Sequence, residues 1–115
     1  MVSTTLAQEI SQLEADFCFA LSDPSRLLIL YTLNEHPHNV TDLANTVGLA
    51  QPTASRHLKI LRDRGLVYAI RQGTSVTYHL ADSRLIEALD MLRAVMRGRL
   101  AHRAELMVET GSQAA

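Results

Sequence analysis

Residues 40–66, VTDLANTVGLAQPTASRHLKILRDRGL, constrain the fold of this chain more than any other stretch. They contain two short helical patterns joined by a tight turn. Thr41 is a suitable N-cap for the first pattern, and Gly48 is a suitable C-terminal residue for it. The second pattern places Pro52 at its first helical position, where a missing N–H has no cost. The spacing predicts a helix-turn-helix over residues 41–65, an arrangement that lays its second helix in the DNA major groove.

The second helix carries an apolar stripe and, away from that stripe, side chains suited to DNA. Ala54, Leu58 and Leu61 fall at i, i+4 and i+7, which predicts one buried face. Arginine pairs with the O6 and N7 atoms of guanine, while Ser and Thr hydroxyls contact bases or phosphates. The alternative is an ordinary solvated basic face. The candidates for base contacts are Thr53, Ser55 and Arg56, with Lys59 beside them, and those for phosphate contacts are His57 and Arg62.

Positive charge is concentrated in the same part of the chain. The 115 residues have a net charge of −1, with 47% hydrophobic and 20% charged residues, as expected for a globular protein. Residues 51–81 contain four Arg and one Lys against one Asp, whereas residues 1–50 contain one Arg against six acidic residues. A phosphate footprint needs such a local excess, so the overall charge does not exclude a nucleic-acid partner.

Composition and motifs also exclude several classes of protein. The single cysteine, Cys18, cannot form an intramolecular disulfide. No apolar run approaches the roughly 20 residues that a membrane span requires, and no signal peptide is recognisable. We therefore expect one cytoplasmic domain over residues 1–115, without a membrane partner. There is no Gly-rich phosphate loop, nucleophile elbow or spaced His/Asp/Glu cluster, so no enzyme is expected.

A short β-hairpin follows the helix-turn-helix. Two runs of alternating residues flank Gly73, which predicts two strands over residues 67–80. Placed directly behind a helix-turn-helix, this hairpin is the wing of a winged-helix domain. Arg71, Gly73 and Thr74 are predicted to reach a minor groove or flanking phosphates. The alternative is a hairpin that only covers the core.

Amphipathic helices are predicted at both ends of the chain, over residues 5–21 and 83–109. A winged-helix domain of this size does not need both apolar seams for its own core, so a two-fold dimer through the terminal helices is expected. Such a dimer places two recognition helices about one DNA turn apart and matches a palindromic operator. The predicted fold class is mainly α with a small β-hairpin. The seams consist of Leu6, Ile10, Leu13, Phe17 and Leu21, and of Leu85, Leu89, Leu92, Met96, Leu100 and Met107.

The segments ALSDPSRLLILYTL, VTDLANTVGLAQPTASRHLKILRDRGLV and RQGTSVTYHL resemble the ArsR/SmtB family of bacterial winged-helix repressors. The similarity covers about residues 17–90. It implies a homodimer that binds double-stranded DNA at an operator and leaves the operator when an effector binds. The DNA-facing positions that the resemblance implies are Gln51, Pro52, Thr53, Ser55, Arg56 and His57.

The chain departs from this family at the usual sensing positions. Many members bind arsenite, cadmium or lead through Cys-Val-Cys-Asp-Leu, where residues 39–43 of this sequence read NVTDL. Amide and hydroxyl groups are poor ligands for soft metals. Zinc-sensing members place Asp-x-His early in the last helix, where residues 82–84 read DSR. A divalent metal at the usual sites is therefore not expected, and no cofactor is predicted.

Five residues remain as sensing candidates, each with a structural alternative. His36 and His38 are candidate metal ligands, and their alternative is a surface turn. His102 and Glu105 stand at i, i+3 and are alternatively an exposed helix pair. Cys18 is a candidate redox thiol near the dimer seam, and its alternative is an inert buried cysteine.

The predicted function is a sequence-specific DNA-binding transcriptional regulator. In its fullest form, the prediction is a homodimeric repressor released from a palindromic operator by an effector that no motif identifies. One alternative is a winged-helix module that binds another protein, which would have no need of Arg56, Lys59 and Arg62. The other alternative is a repressor that senses no small molecule.

Overall fold

A computed structural model describes the backbone of residues 2–114 and the side chains of residues 2–108. The described chain contains five α-helices and one two-stranded antiparallel sheet, and a π-helical turn over Glu14–Cys18 extends the first helix. This mainly α architecture with one small hairpin confirms the predicted fold class. The elements are α1 (Thr4–Leu13), α2 (Pro24–Glu35), α3 (Val40–Val47), α4 (Gln51–Asp63), β1 (Val67–Gln72), β2 (Ser75–Leu80) and α5 (Arg84–Ala114).

The core of the helix-turn-helix unit forms where α2, α3 and α4 meet the start of the hairpin. The stripe predicted for α4 is confirmed, because Ala54, Leu58 and Leu61 are all buried. Burial of each large apolar side chain contributes about 1.5–3 kcal/mol relative to exposure. This burial fixes which face of α4 points outward. The largest fully buried side chains are Ile29, Leu30, Leu43, Leu58 and Leu61.

The N-cap of α3 is Asn39, so the assignment of Thr41 as the cap is wrong. Asn39 Oδ1 accepts a hydrogen bond from the backbone N–H of Asp42 at 2.8 Å, and the helix begins at Val40. Asn ranks above Thr as an N-cap, and Asn39 stands three residues before an amide that needs an acceptor. Gly48 ends the helix with a φ of +80°, as predicted.

The hairpin has a continuous register from Val67↔Leu80 to Gln72↔Ser75, which leaves a two-residue loop. Gly73 opens this loop with a φ of +63°, a conformation that two-residue hairpin loops require. The turn before α3 is attached to the same sheet. The backbone N–H of His38 donates to the carbonyl oxygen of Tyr78 at 3.2 Å, and that of Tyr78 donates back at 2.8 Å.

The first helix presents its apolar side chains to solvent. The continuous helix predicted over residues 5–21 is interrupted by the π-helical turn, a local rearrangement that a simple 3.6-residue periodicity does not encode. None of the residues of α1 is buried. Leu6, Ile10 and Leu13 are each about half exposed.

The last helix, α5, is buried near its start and apolar on its exposed surface afterwards. Ile86 and Leu89 are buried, whereas Leu92 and Met96 are more than half exposed. The helix runs to Ala114, beyond the predicted end at residue 109. Among the helices that the structure describes, none is long and apolar enough to cross a membrane.

Replacing Asn39 with Ala should lower the free energy of unfolding by about 1 kcal/mol, because the Asp42 amide loses its acceptor. Thr41→Ala is the matched control, since Thr41 is exposed and caps nothing. Urea unfolding followed by circular dichroism at one protein concentration measures both effects. An equal loss in the two variants would contradict the assignment of Asn39 as the cap.

Candidate nucleic-acid interface

The sequence predicts eight side chains of α4 to face DNA, and six of them lie together on the exposed side of this helix. Successive residues are turned by about 100°, so these six lie within one arc of about 140° that does not include the buried stripe. All six are exposed. Thr53 and His57 lie outside the arc and are half-buried. The arc consists of Gln51, Pro52, Ser55, Arg56, Lys59 and Arg62.

Two polar contacts within α4 position members of this arc. Arg56 Nη2 donates to Thr53 Oγ1 at 3.3 Å, so a half-buried hydroxyl orients an exposed guanidinium. Lys59 Nζ lies 3.2 Å from Asp63 Oδ2. Both side chains of this second pair are more than half exposed, and ion pairs of that kind stabilise little. Lys59 can therefore release Asp63 and pair with a phosphate instead.

His57 points toward the protein instead of toward solvent. Its Nδ1 lies 3.3 Å from Nη1 of Arg26, a buried residue of α2. The structure therefore places His57 at the inner edge of the interface and does not bring it together with the six exposed side chains.

Sequence reasoning missed Arg26 as a structural residue. It is the only Arg or Lys among residues 1–50, and it stands three positions after the cap of α2. A lone Arg inside a strongly apolar helix is a signal of a buried, fully bonded guanidinium. In the structure the residue is buried, with only 7% of it exposed.

The predicted wing residues lie at the free end of the hairpin. Arg71 is at the end of β1, and Gly73 and Thr74 form the loop. All three are exposed. Their side chains and backbone are accessible to a second macromolecule, as the wing prediction requires.

The sensing candidates are scattered. His36 and His38 stack with ring centroids 4.1 Å apart, but His38 is buried and its Nδ1 lies 2.8 Å from the His36 carbonyl oxygen. The turn is therefore not simply a surface turn. His102 and Glu105 are both exposed on α5. In the part of the chain that the structure describes, no group of three or more His, Cys, Asp or Glu residues could hold a metal ion.

Cys18 is exposed in the chain, so the alternative of an inert buried cysteine is wrong. It is the last residue of the π-helical turn. Its neighbours Phe17 and Phe19 are also at least partly exposed, and they do not cover the thiol as an apolar pair within a core would.

Comparison with known proteins agrees with this architecture. The model of the family described as bacterial regulatory protein, arsR family, matches residues 23–69. The HTH-type transcriptional regulator NmtR from Mycobacterium tuberculosis is 42% identical over 88 residues, which cover 76% of this chain and 69% of that protein. The chain belongs to the arsR family of bacterial regulatory proteins. It is therefore a transcriptional regulator with a DNA-binding fold and not an enzyme.

Solved structures related to this arsR-family chain share its fold. NolR from Sinorhizobium fredii superimposes with a TM-score of 0.70 at 33% identity, covering 83% of this chain and 94% of that one. The homodimeric winged helix-turn-helix DNA-binding domain of a possible ArsR-family regulator from Mycobacterium bovis gives a TM-score of 0.73 at 31% identity, covering 88% and 93%. The HTH-type transcriptional repressor SmtB from M. tuberculosis is 37% identical over 68% of this chain, a match that spans 58% of SmtB.

Asp23, the cap of α2, gives this arsR-family chain a pH-dependent stability. The backbone N–H of Ser25 donates to Asp23 Oδ1 at 2.7 Å and lowers the pKa of this carboxyl below its ordinary 3.8, with smaller contributions from His57 and Arg26. Because the pKa is lower in the folded state, the stabilisation is present above the unfolded-state pKa. It is lost as the pH falls through the folded-state pKa.

We expect the stability advantage of the native chain over Asp23→Asn to shrink as the pH falls from about 5 to below 3.8. Asparagine caps a helix about as well as aspartate but does not titrate in this range. Denaturant unfolding of both proteins at a series of pH values measures the difference. Two stability curves that stay parallel throughout would contradict the lowered pKa.

Proposed function

We propose that this chain is a homodimeric, sequence-specific repressor of transcription that binds double-stranded operator DNA. In this proposal α4 lies in the major groove and the hairpin tip contacts flanking phosphates or a minor groove. A bacterial regulator of this kind acts where the chromosome lies, in the cytoplasm. The observation that carries the proposal is the exposed arc of α4, which directs Ser55, Arg56 and Arg62 outward from a helix anchored by its buried stripe.

The chemistry of this arc is suited to two kinds of DNA contact. Ser55 and Arg56 lie in the N-terminal half of α4, the part of a recognition helix that reaches base edges. Lys59 and Arg62 lie nearer the C-terminus and are placed for phosphates, which fix the register without reading sequence. At the hairpin tip, Arg71 supplies a further cation, and Gly73 and Thr74 allow close approach of the backbone.

The exposed apolar faces of α1 and α5 support the homodimer. On α5, residues 92, 96, 100 and 107 lie within about 80° of one another around the helix. Each of these side chains is more than half exposed. Leu6, Ile10 and Leu13 form a second exposed row on α1. A homodimer removes both rows from water, and the related M. bovis domain is described as homodimeric.

The usual metal-dependent release does not fit residues 39–43. The Asn39 side chain caps α3, so its oxygen is already committed to a backbone amide. Thr41 supplies only a neutral hydroxyl, at 3.4 Å from the Gln51 side chain. We infer that zinc or cadmium does not release this repressor through that segment.

Replacing Arg56 with Ala should weaken binding to a specific duplex by about tenfold or more, because each protomer loses one guanidinium contact to a base or phosphate. Arg97→Ala on α5 makes the same change of charge outside residues 51–81 and should leave affinity close to native. Fluorescence anisotropy measures both variants, on DNA from the protein's own upstream region or on a duplex selected from a random pool.

The same titration, repeated over a range of salt concentrations, should show a steep loss of affinity for the native chain and a shallower one for Arg56→Ala if Arg56 contacts phosphate. Added chelator, zinc or cadmium should leave the native affinity unchanged. Failure of the native chain to bind any duplex in the pool would overturn the repressor proposal and favour a protein-interaction module.

Replacing Leu92 with Glu should raise the dimer dissociation constant by at least about tenfold, because the proposed interface would bury an unpaired carboxylate. Ala94→Glu is the matched control, since residue 94 lies about 200° around the helix from residue 92. Sedimentation velocity over a concentration series measures the dissociation constants. Equal effects of the two substitutions would argue against this face of α5 as the interface.

A further inference from the structure

Two arginines, one in α2 and one at the C-terminal cap of α4, approach the ring of Phe19, just after the π-helical turn. The guanidinium carbon of Arg64, at the end of α4, is 4.7 Å from the centre of the Phe19 ring. The corresponding carbon of Arg26, in α2, is 5.9 Å from it. Arginine over an aromatic ring is an attractive cation–π arrangement at these distances. One aromatic side chain therefore links the end of the first helix to α2 and α4.

Arg26 connects the same segment to the middle of α4. Its Nε donates to the Ala20 carbonyl oxygen at 2.6 Å, and its Nη2 donates to the Phe19 carbonyl oxygen at 3.2 Å. A third bond reaches the Ser22 hydroxyl at 3.2 Å. The remaining nitrogen, Nη1, is 3.3 Å from His57 Nδ1. The buried guanidinium thus joins three residues of the 15–22 segment to one residue of the recognition helix.

Arg64 connects the segment to the C-terminal end of α4. Its Nη1 donates to the Ala15 carbonyl oxygen at 2.6 Å and lies 3.6 Å from Asp16 Oδ1. Two-thirds of this side chain is buried. Arg64 belongs to the basic segment by sequence, yet its charge is paired within the protein. It is therefore poorly placed to neutralise a DNA phosphate.

We propose that Arg64 and Phe19 are positioning residues for DNA recognition, acting with Arg26 to set the orientation of α4 from residues 15–22. This inference rests on the DNA-binding function proposed above. His57 and Arg64 are seven residues apart, about 10 Å along the helix axis. Attachments at these two positions add restraints on the tilt and rotation of α4 to those that the buried stripe supplies.

The positions of Phe19 and Arg64 separate this role from a simple contribution to the core. Half of Phe19 and a third of the Arg64 side chain are exposed, so neither belongs to the fully buried core of the unit. Their loss should therefore cost little folding stability. A misoriented recognition helix instead loses base contacts, which need accurate geometry, while it keeps phosphate contacts, which tolerate small rotations.

The test compares binding to the selected duplex with binding to a scrambled duplex of equal length, at protein concentrations where each variant is dimeric. Arg64→Gln should lower the ratio of selected-duplex to scrambled-duplex affinity about fivefold. A change of this size lies within the range known for residues that alter binding without contacting the ligand. Its affinity for the scrambled duplex should stay within about twofold of native, because Arg64 makes no phosphate contact. Phe19→Leu, which keeps an apolar side chain without the ring, should lower the ratio in the same direction.

Two further variants serve as controls. Arg64→Lys should restore most of the ratio, since an ammonium can also donate to the Ala15 carbonyl oxygen and lie over Phe19. Arg62→Gln removes the same charge two residues away, from the exposed arc. It should weaken binding to both duplexes alike and leave the ratio close to native, as expected for a phosphate contact.

The positioning role is overturned if Arg64→Gln and Phe19→Leu leave the ratio at its native value. It is also overturned if they weaken binding to both duplexes equally. Equal weakening is the result expected when a phosphate contact is lost or when less of the protein is folded. In both cases the native chain still binds specifically, and the proposed function stands. If the native chain binds no duplex, the proposed function fails and the positioning role fails with it.

Discussion

The interface proposed here depends on the burial of one stripe of α4. Ala54, Leu58 and Leu61 are almost completely removed from water, and together they fix the helix against the core. Because the helical repeat relates each remaining position to this stripe, its burial determines which side chains of α4 face outward. A polar substitution in the stripe would therefore disturb recognition as well as folding. The chemistry of the exposed surface is therefore a consequence of how the buried stripe packs.

The excess of positive charge within residues 51–81 does not all face solvent. Arg64 is paired with Asp16 and bonded to the Ala15 carbonyl oxygen. Lys59 has Asp63 as a neighbour within its own helix. The cations that remain for a phosphate backbone without an exchange of partners are Arg56, Arg62 and Arg71. A charge count by segment overestimates the electrostatic footprint of the predicted interface, because only structure distinguishes an arginine that is paired within the fold from one that is exposed to a ligand.

Local features of this chain were predictable because their causes lie within a few residues. The α4 stripe, the positive φ of Gly48 and the hairpin around Gly73 each follow from spacing and from the conformational preferences of one residue. The cap of α3 was missed by two positions, since two good capping residues stand close together and only hydrogen-bond geometry decides between them. The contacts of Arg26 and Arg64 could not be predicted from the sequence. They join residues that are distant in sequence, up to 49 positions apart, and no periodicity encodes such a pairing.

The position of these arginine contacts has a thermodynamic consequence for a dimeric repressor. The segment that Arg26 and Arg64 hold continues directly from α1, whose exposed row we assign to the dimer interface. If subunit association changes the conformation of residues 15–22, it changes the orientation of α4 through the same contacts. The coupling must then act in both directions, so that DNA which selects one orientation of α4 also changes the affinity of the subunits for each other. An effector bound along α1 would then change the orientation of α4 through these contacts, without contacting α4 itself. A sensing site for this chain therefore need not occupy the positions at which other members of the family bind metals.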